Sequence, residues 1–238
     1  MKFAAQTDKG LRREKNEDAF CINERFHLAV VADGVGGAPA GQIASHLAVQ
    51  QIEDYVTTRD HSAAPLSTLH DAVTLANDAI NNRARQDRSV LGMATTVVAC
   101  LLTKERVFVA HVGDSRAYLV TPTEITRLTK DHSLVAELVS SGRITPEEAR
   151  DYPYRNVITR ALGIAARTHV ELGSFPWARG HHLLLCTDGL TEAVADQTIH
   201  TVIADKAQDL YRKCTRLVEL VNAEGGLDNV TVVLVQHT

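Results

Sequence analysis

The chain has 238 residues, 45% of them hydrophobic and 23% charged, with 25 Lys and Arg against 29 Asp and Glu for a formal net charge of −4. That length suits one large domain or two small ones, and it buries a sizeable core without staples. The charge balance excludes a general nucleic-acid binder, which carries a basic stripe, and a polybasic membrane-surface protein.

The opening stretch, Met1 to Lys9, lacks the apolar region of a signal peptide, and no apolar run approaches the length of a membrane span. The run Phe26 to Ala32 reads as a strand and stops at Asp33-Gly34. From Gly41 to Val56 the spacing of Ala44, Ala48, Ile52 and Tyr55 predicts a helix. Leu69, Val73, Ala76 and Ile80 predict a second. Thr95 to Leu102, Arg106 to Val112 and Arg116 to Val120 are β-branched, apolar runs separated by short turns, which favours antiparallel pairing. Residues 133–163 read as helical and polar-faced. Within them Thr145-Pro146-Glu147-Glu148 predicts a helix start with a capping box. His181-His182 reads as a surface turn before a strand from Leu183 to Thr187. Leu210, Cys214, Leu217 and Val221 predict a last helix, and Val230 to Val235 a last strand. Strand groups with long helices between them predict an α+β layered fold. Cys21, Cys100, Cys186 and Cys214 show no C-x-x-C spacing and read as small buried hydrophobes with reduced thiols, in a cytoplasmic protein.

The aspartates carry the chemical signal. Asp33 and Asp188 each end an apolar run and precede glycine, Asp228 directly precedes another run, and Asp114 lies in a Gly-Asp-Ser turn. One Asp-Gly after a strand is first a turn signal. Four carboxylates at strand ends are different, because they repel one another unless protonated or bridged by cations. Oxygen ligands without histidine suit Mg²⁺ or Mn²⁺, and a binuclear site of that kind suits phosphoester hydrolysis. The early segment Arg13 to Asp18 adds Glu17 and Asp18 as further acids, and an arginine able to bind phosphate bidentately. The eleven histidines show no H-E-x-x-H spacing, and His132 is expected to play a structural hydrogen-bonding role. No G-x-S-x-G elbow supports a serine hydrolase, and no Walker loop supports nucleotide binding.

Arg13-x-x-Asn16-Glu17-Asp18 and Ala32-Asp33-Gly34-Val35-Gly36-Gly37 resemble the opening motifs of bacterial metal-dependent protein Ser/Thr phosphatases, the PPM or type 2C family. The likeness continues in family order through Gly92-Met93-Ala94-Thr95-Thr96, His111 to Arg116, Leu128 to Ser133, Ile158 to Gly163, Cys186 to Leu190 and Asp228 to Thr231. It implies a four-layer α-β-β-α sandwich, with residues 1–238 forming a single catalytic domain and residues 133–163 a flap. It implies two Mn²⁺ or Mg²⁺ ions and a third, weaker one. Asp33 would bridge two ions and activate the attacking water. Gly34 would offer its carbonyl, and Asp188 and Asp228 would complete the first site. Asp18 would serve the second ion and Asp114 the third, with Glu17 and Asn229 supporting the site from behind. Arg13 would bind the phosphate. Partners would be phosphorylated proteins and a cognate Ser/Thr kinase, with no nucleic acid or membrane, and the protein is expected to be a monomer.

Two departures stand out. Ala38 stands where many bacterial members carry histidine, so the usual proton donor to the leaving oxygen is absent. Tyr152-Pro153 replaces the His-Pro often seen in the flap. Two other readings stay open on the residues: a phosphoprotein-binding pseudophosphatase that has lost turnover, and a two-metal phosphoesterase acting on small molecules.

Overall fold

The computed structural model describes residues 1–35, 40–58 and 64–238. In chain order its elements are β1 (Lys2–Asp8), β2 (Ala19–Asn23), β3 (Leu28–Ala32), β4 (Gly34–Val35), α1 (Ala40–Thr57), α2 (Pro65–Gln86), β5 (Ala94–Thr95), β6 (Val97–Leu102), β7 (Arg106–Val112), β8 (Arg116–Val120) and β9 (Ile125–Arg127). The chain continues through α3 (Leu134–Ser140), α4 (Pro146–Arg150), β10 (Glu171–Pro176), β11 (His182–Cys186), α5 (Asp188–Ala193), α6 (Asp196–Ala204), α7 (Leu210–Ala223) and β12 (Val230–Gln236). One antiparallel sheet runs β1-β12-β11-β8-β9 and the other β10-β7-β6-β3-β2, with β4 and β5 forming a short ribbon.

Strand periodicity builds the layers. Successive side chains of a strand point to opposite faces. In β3, Leu28, Val30 and Ala32 join a core shared with α1 and α2, while Ala29 and Val31 join a core between the sheets. β11 divides likewise: Leu184 and Cys186 pack with Leu217 and Val221 of α7, and Leu183 and Leu185 face the other sheet. Three apolar cores therefore separate four layers in the order helix, sheet, sheet, helix. These strands are apolar on both faces because both faces are covered. All four cysteines are free and buried.

The structure corrects three expectations. The run Thr95 to Leu102 is broken at Thr96, which bonds to Asp33 instead of continuing the ladder: Thr96 N donates to the Asp33 carbonyl at 2.9 Å. Asp188-Gly189 is not a turn but the first turn of α5, with Thr187 at its N-cap. His182 is not on the surface. It is buried as the first residue of β11, opposite Val120 on one side and Gln236 on the other, and burial pushes its ring pKa down to about 4. β11 lies inside its sheet, so pairing on both sides carries the strand one residue further.

Residues 133–163 hold α3 and α4, neither with a buried residue. The capping box forms as the sequence predicts. Glu148 N donates to Thr145 Oγ1 at 3.2 Å, and Thr145 N donates to Glu148 Oε2 at 2.7 Å. Among the described residues no helix is long and apolar enough to cross a membrane.

Candidate active site

The two sheets bring their loops together at one end. Asp33 follows β3, Asp114 joins β7 to β8, Asp188 follows β11, and Asp228 precedes β12. These four carboxylates line a cavity of about 210 Å³ together with Arg13, Glu17, Gly34 and Asn229. Asn156 and Ile158, from the end of the flap segment, also line it. Asp18 does not reach this cavity; it is buried behind it at 5% exposure. Ala38, together with Gly36 and Gly37, lies outside the described residues.

The acids press on one another. Burial, then repulsion from Asp188 and Asp131, pushes Asp114 up to about 8. Burial pushes Asp18 up to about 7, against the pull of hydrogen bonds from Thr231 and Thr187. Asp33 is raised well above the carboxylate range by burial, by the charges of Asp18 and Asp188, and by a hydrogen bond with Asp188. Asp188 is raised by burial and by Asp228. Such a cluster is stable when protons or cations neutralise it. Among the described residues, the buried carboxylate oxygens Asp18 Oδ1 and Asp188 Oδ1 have no hydrogen-bond partner. Orphaned buried acceptors in an all-oxygen set are what hard divalent cations satisfy. The residues therefore fit Mn²⁺ or Mg²⁺.

Short polar contacts hold Asp18, Asp33 and Asp228. Thr187 Oγ1 and Thr231 Oγ1 donate to Asp18 Oδ2 at 2.9 and 2.7 Å. Thr96 Oγ1 accepts from Asp33 N at 3.0 Å and pairs with Ser115 Oγ at 2.7 Å, so one threonine ties Asp33 to the turn carrying Asp114. Arg13 Nη2 donates to Asp228 Oδ2 at 2.7 Å, with its side chain 56% exposed. Glycine is required where Gly34 meets α1: a Cβ there would land on the Gly41 carbonyl, and a Cβ on Gly41 would strike Glu17 Oε2.

Asn229 anchors the segment that carries Arg13, Glu17 and Asp18. Its amide donates to the carbonyls of Lys9 and Lys15 at 2.9 Å each, and its Oδ1 accepts from Glu17 N at 2.8 Å. Replacing Asn229 by alanine removes three partly buried hydrogen bonds, for which about 2–4 kcal/mol of stability is expected to be lost at roughly 1 kcal/mol per bond. Urea unfolding measures it, and a loss under about 0.5 kcal/mol, the range of ordinary surface changes, would contradict the anchoring role.

Sequence reasoning missed Thr187, Thr231 and Thr96 as supports of the site, because a threonine in an apolar run reads as ordinary strand material. Ile158 opens one of the motifs that carry the resemblance, whereas Asn156 had no signal beyond lying in the flap segment.

A family model described as protein phosphatase 2C matches residues 10–229. Among curated proteins, the chain is similar to the serine/threonine phosphatase stp of Listeria welshimeri, at 37% identity over 98% of this chain and 94% of that one. It is also similar to the serine/threonine protein phosphatase PstP of Mycobacterium tuberculosis, at 38% identity over 98% of this chain but 44% of that longer one. Among solved structures, the catalytic domain of PstP in complex with two manganese ions superposes with a TM-score of 0.88 at 36% identity, covering 98% of this chain and 96% of that one.

Proposed function

The chain belongs to the protein phosphatase 2C family, and we propose that its cavity of aspartates hydrolyses phosphoserine and phosphothreonine in proteins by direct attack of water, without a phosphoenzyme. The observation that carries this reading is the convergence of Asp33, Asp114, Asp188 and Asp228 on one cavity with Arg13 at its mouth. Asp33, Gly34, Asp188 and Asp228 would hold one cation, Asp33 and Asp18 a second, and Asp114 with Asp188 a weaker third. When bound, such ions supply an activated water and neutralise charge on the phosphoryl oxygens.

The chain's own groups do the rest. The Arg13 guanidinium gives one N–H to Asp228 and keeps the rest of its donor fork for the non-bridging phosphate oxygens, where it offsets charge growing in the transition state. Thr187 and Thr231 hold the Asp18 carboxylate, and Thr96 holds the backbone of Asp33. A water oxygen bonds to phosphorus, the bond to the serine or threonine oxygen breaks, and the proton that the water gives up ends, through solvent, on the departing oxygen, which leaves as the alcohol. Ala38 offers no proton for that step.

The full set of acids disfavours the pseudophosphatase reading. We further infer that the enzyme works against a Ser/Thr kinase in a signalling cycle, since only such a kinase makes its substrate. Residues 133–163 act in this reading as a flap whose Asn156 and Ile158 face the substrate. The working form is taken to be a cytoplasmic monomer, which light scattering and cell fractionation check.

Phosphate release with Mn²⁺ from phosphothreonine, phosphotyrosine and nucleotide substrates tests the assignment. Release from the phosphothreonine peptide, abolished by EDTA, is expected. Faster release from the nucleotide would transfer the enzyme to the small-molecule phosphoesterases.

A further inference from the structure

The turn that carries Asp114 is gripped from outside the cavity by one residue, through its ring and its backbone. Gly113 N donates to His132 Nδ1 at 3.1 Å, and the Gly113 carbonyl accepts from His132 N at 3.0 Å. Both peptide groups of Gly113 are thus held by a single residue. Gly113 sits at φ 108°, open only to glycine, and a Cβ there would lie 2.6 Å from the Thr96 Cβ.

Behind the grip stands Glu171. Because Nδ1 of His132 accepts a hydrogen bond, the ring proton lies on Nε2, which donates to Glu171 Oε2 at 2.9 Å. His111, directly opposite Glu171 in the β10–β7 ladder, stacks on His132 with centroids 4.8 Å apart and donates from its own Nε2 to the Lys130 carbonyl at 2.9 Å. His111, His132 and Glu171 offer ligand atoms within 4.8 Å of one another, as a zinc site does. The hydrogen bonds decide against zinc, since His132 Nε2 carries its proton and Nδ1 is committed to Gly113.

The same residue reaches the flap. The His132 carbonyl accepts from Thr159 N at 2.8 Å, Ser133 bridges to Ile158, and Leu134 N donates to the Val157 carbonyl at 2.8 Å. Ile158 lines the cavity.

We propose that His132 is a positioning residue which, braced by Glu171, locks the flap's return segment, Val157 to Thr159, to the Gly113–Asp114 turn and so sets the Asp114 carboxylate for the third cation. This rests on the reading of Asp114 as a ligand of that ion. His132 touches neither substrate nor ion; it acts through the Gly113 peptide groups.

Two isosteres separate its contacts. Asparagine places its amide oxygen near the position of Nδ1 and keeps an acceptor for Gly113, whereas glutamine reaches toward Glu171 and leaves the Gly113 N–H without one. Counting bound Mn²⁺ by electron paramagnetic resonance, with amide hydrogen exchange at Gly113 as the second readout, gives the test. Wild type is expected to take up a third, weaker Mn²⁺, and Asp114→Asn to lose it. His132→Gln should weaken that ion about tenfold, the scale on which outer partners tune metal affinity, and speed exchange at Gly113. His132→Asn should stay within about threefold of wild type, below that scale. Should His132→Gln fail to fold, Glu171→Ala, at a half-exposed side chain, serves instead and should weaken the same ion. If Asp114→Asn loses the third Mn²⁺ while His132→Gln, or Glu171→Ala in its place, binds it as wild type does, the positioning role is wrong. If Asp114→Asn keeps it, the ligand assignment falls and the proposal with it.

Discussion

Replacing Asp33 by asparagine is expected to lower phosphatase activity by at least about a hundredfold, since loss of even an outer partner of a metal typically costs 10–100-fold. The same change should raise the melting temperature of the metal-free protein. Asp33 is buried beside Asp18, Asp114 and Asp188, and all four are raised from the ordinary aspartate value. A carboxylate raised in the folded state holds its proton there after the unfolded chain has released it. Stability is then full below the unfolded value near 3.8 and falls as pH climbs through the folded values, about 7 for Asp18 and about 8 for Asp114. With EDTA present, the wild-type melting temperature should therefore fall between pH 5 and pH 8, and Asp33→Asn should flatten the fall. Cations reverse the penalty. At a hundred times the dissociation constant, one bound ion adds about 2.7 kcal/mol, or roughly 5–11 °C for a protein of this size. Differential scanning calorimetry with and without Mn²⁺ should show that rise in wild type and little of it in Asp33→Asn. Wild-type turnover by the variant at saturating Mn²⁺ would refute the bridging assignment.

Arg13→Ala separates phosphate binding from fold. Its ion pair with Asp228 is exposed, and exposed pairs contribute about 0–1 kcal/mol, so the melting temperature should hardly move. Catalytic efficiency should fall by about 10²–10³, the scale for removing one group aimed at developing transition-state charge. Arg13→Lys should recover only part, because an ammonium supplies a point charge where a guanidinium supplies a planar fork. Steady-state kinetics on a phosphothreonine peptide at fixed saturating Mn²⁺ checks it. A variant impaired only in Mn²⁺ affinity would move Arg13 from phosphate binding to supporting Asp228.

The parts of this architecture legible in the sequence are those whose burial is periodic. β7, Arg106–Val112, and β8, Arg116–Val120, fall where the apolar runs predict. The three long helices begin and end within a few residues or turns of their stripes. β1 gave no signal because it is an edge strand whose residues are only partly covered. β10, also at an edge, carries Gly173 and ends in Pro176, both poor strand formers. α5 and α6 are too short for a helical period to stand out. In the site, Asp33, Asp114, Asp188 and Asp228 were visible because loops at one end of neighbouring strands meet. The pairing of His132 with Glu171 spans 39 positions and two elements, and nothing local in either residue announces it.

The pairing of β1 with β12 has a consequence for how the enzyme comes into being. Asp18 receives one of its two hydrogen bonds from a residue 213 positions later, and Glu17 meets Asn229 across 212. Contacts of that separation close long loops and come late in folding. During synthesis the strands around Asp33 and Asp114 can assemble while Asp228 is still inside the ribosome, so the carboxylates lining the cavity are all in place only once β12 has docked. Glu17 and Asp18 therefore meet these partners only when β12 has docked.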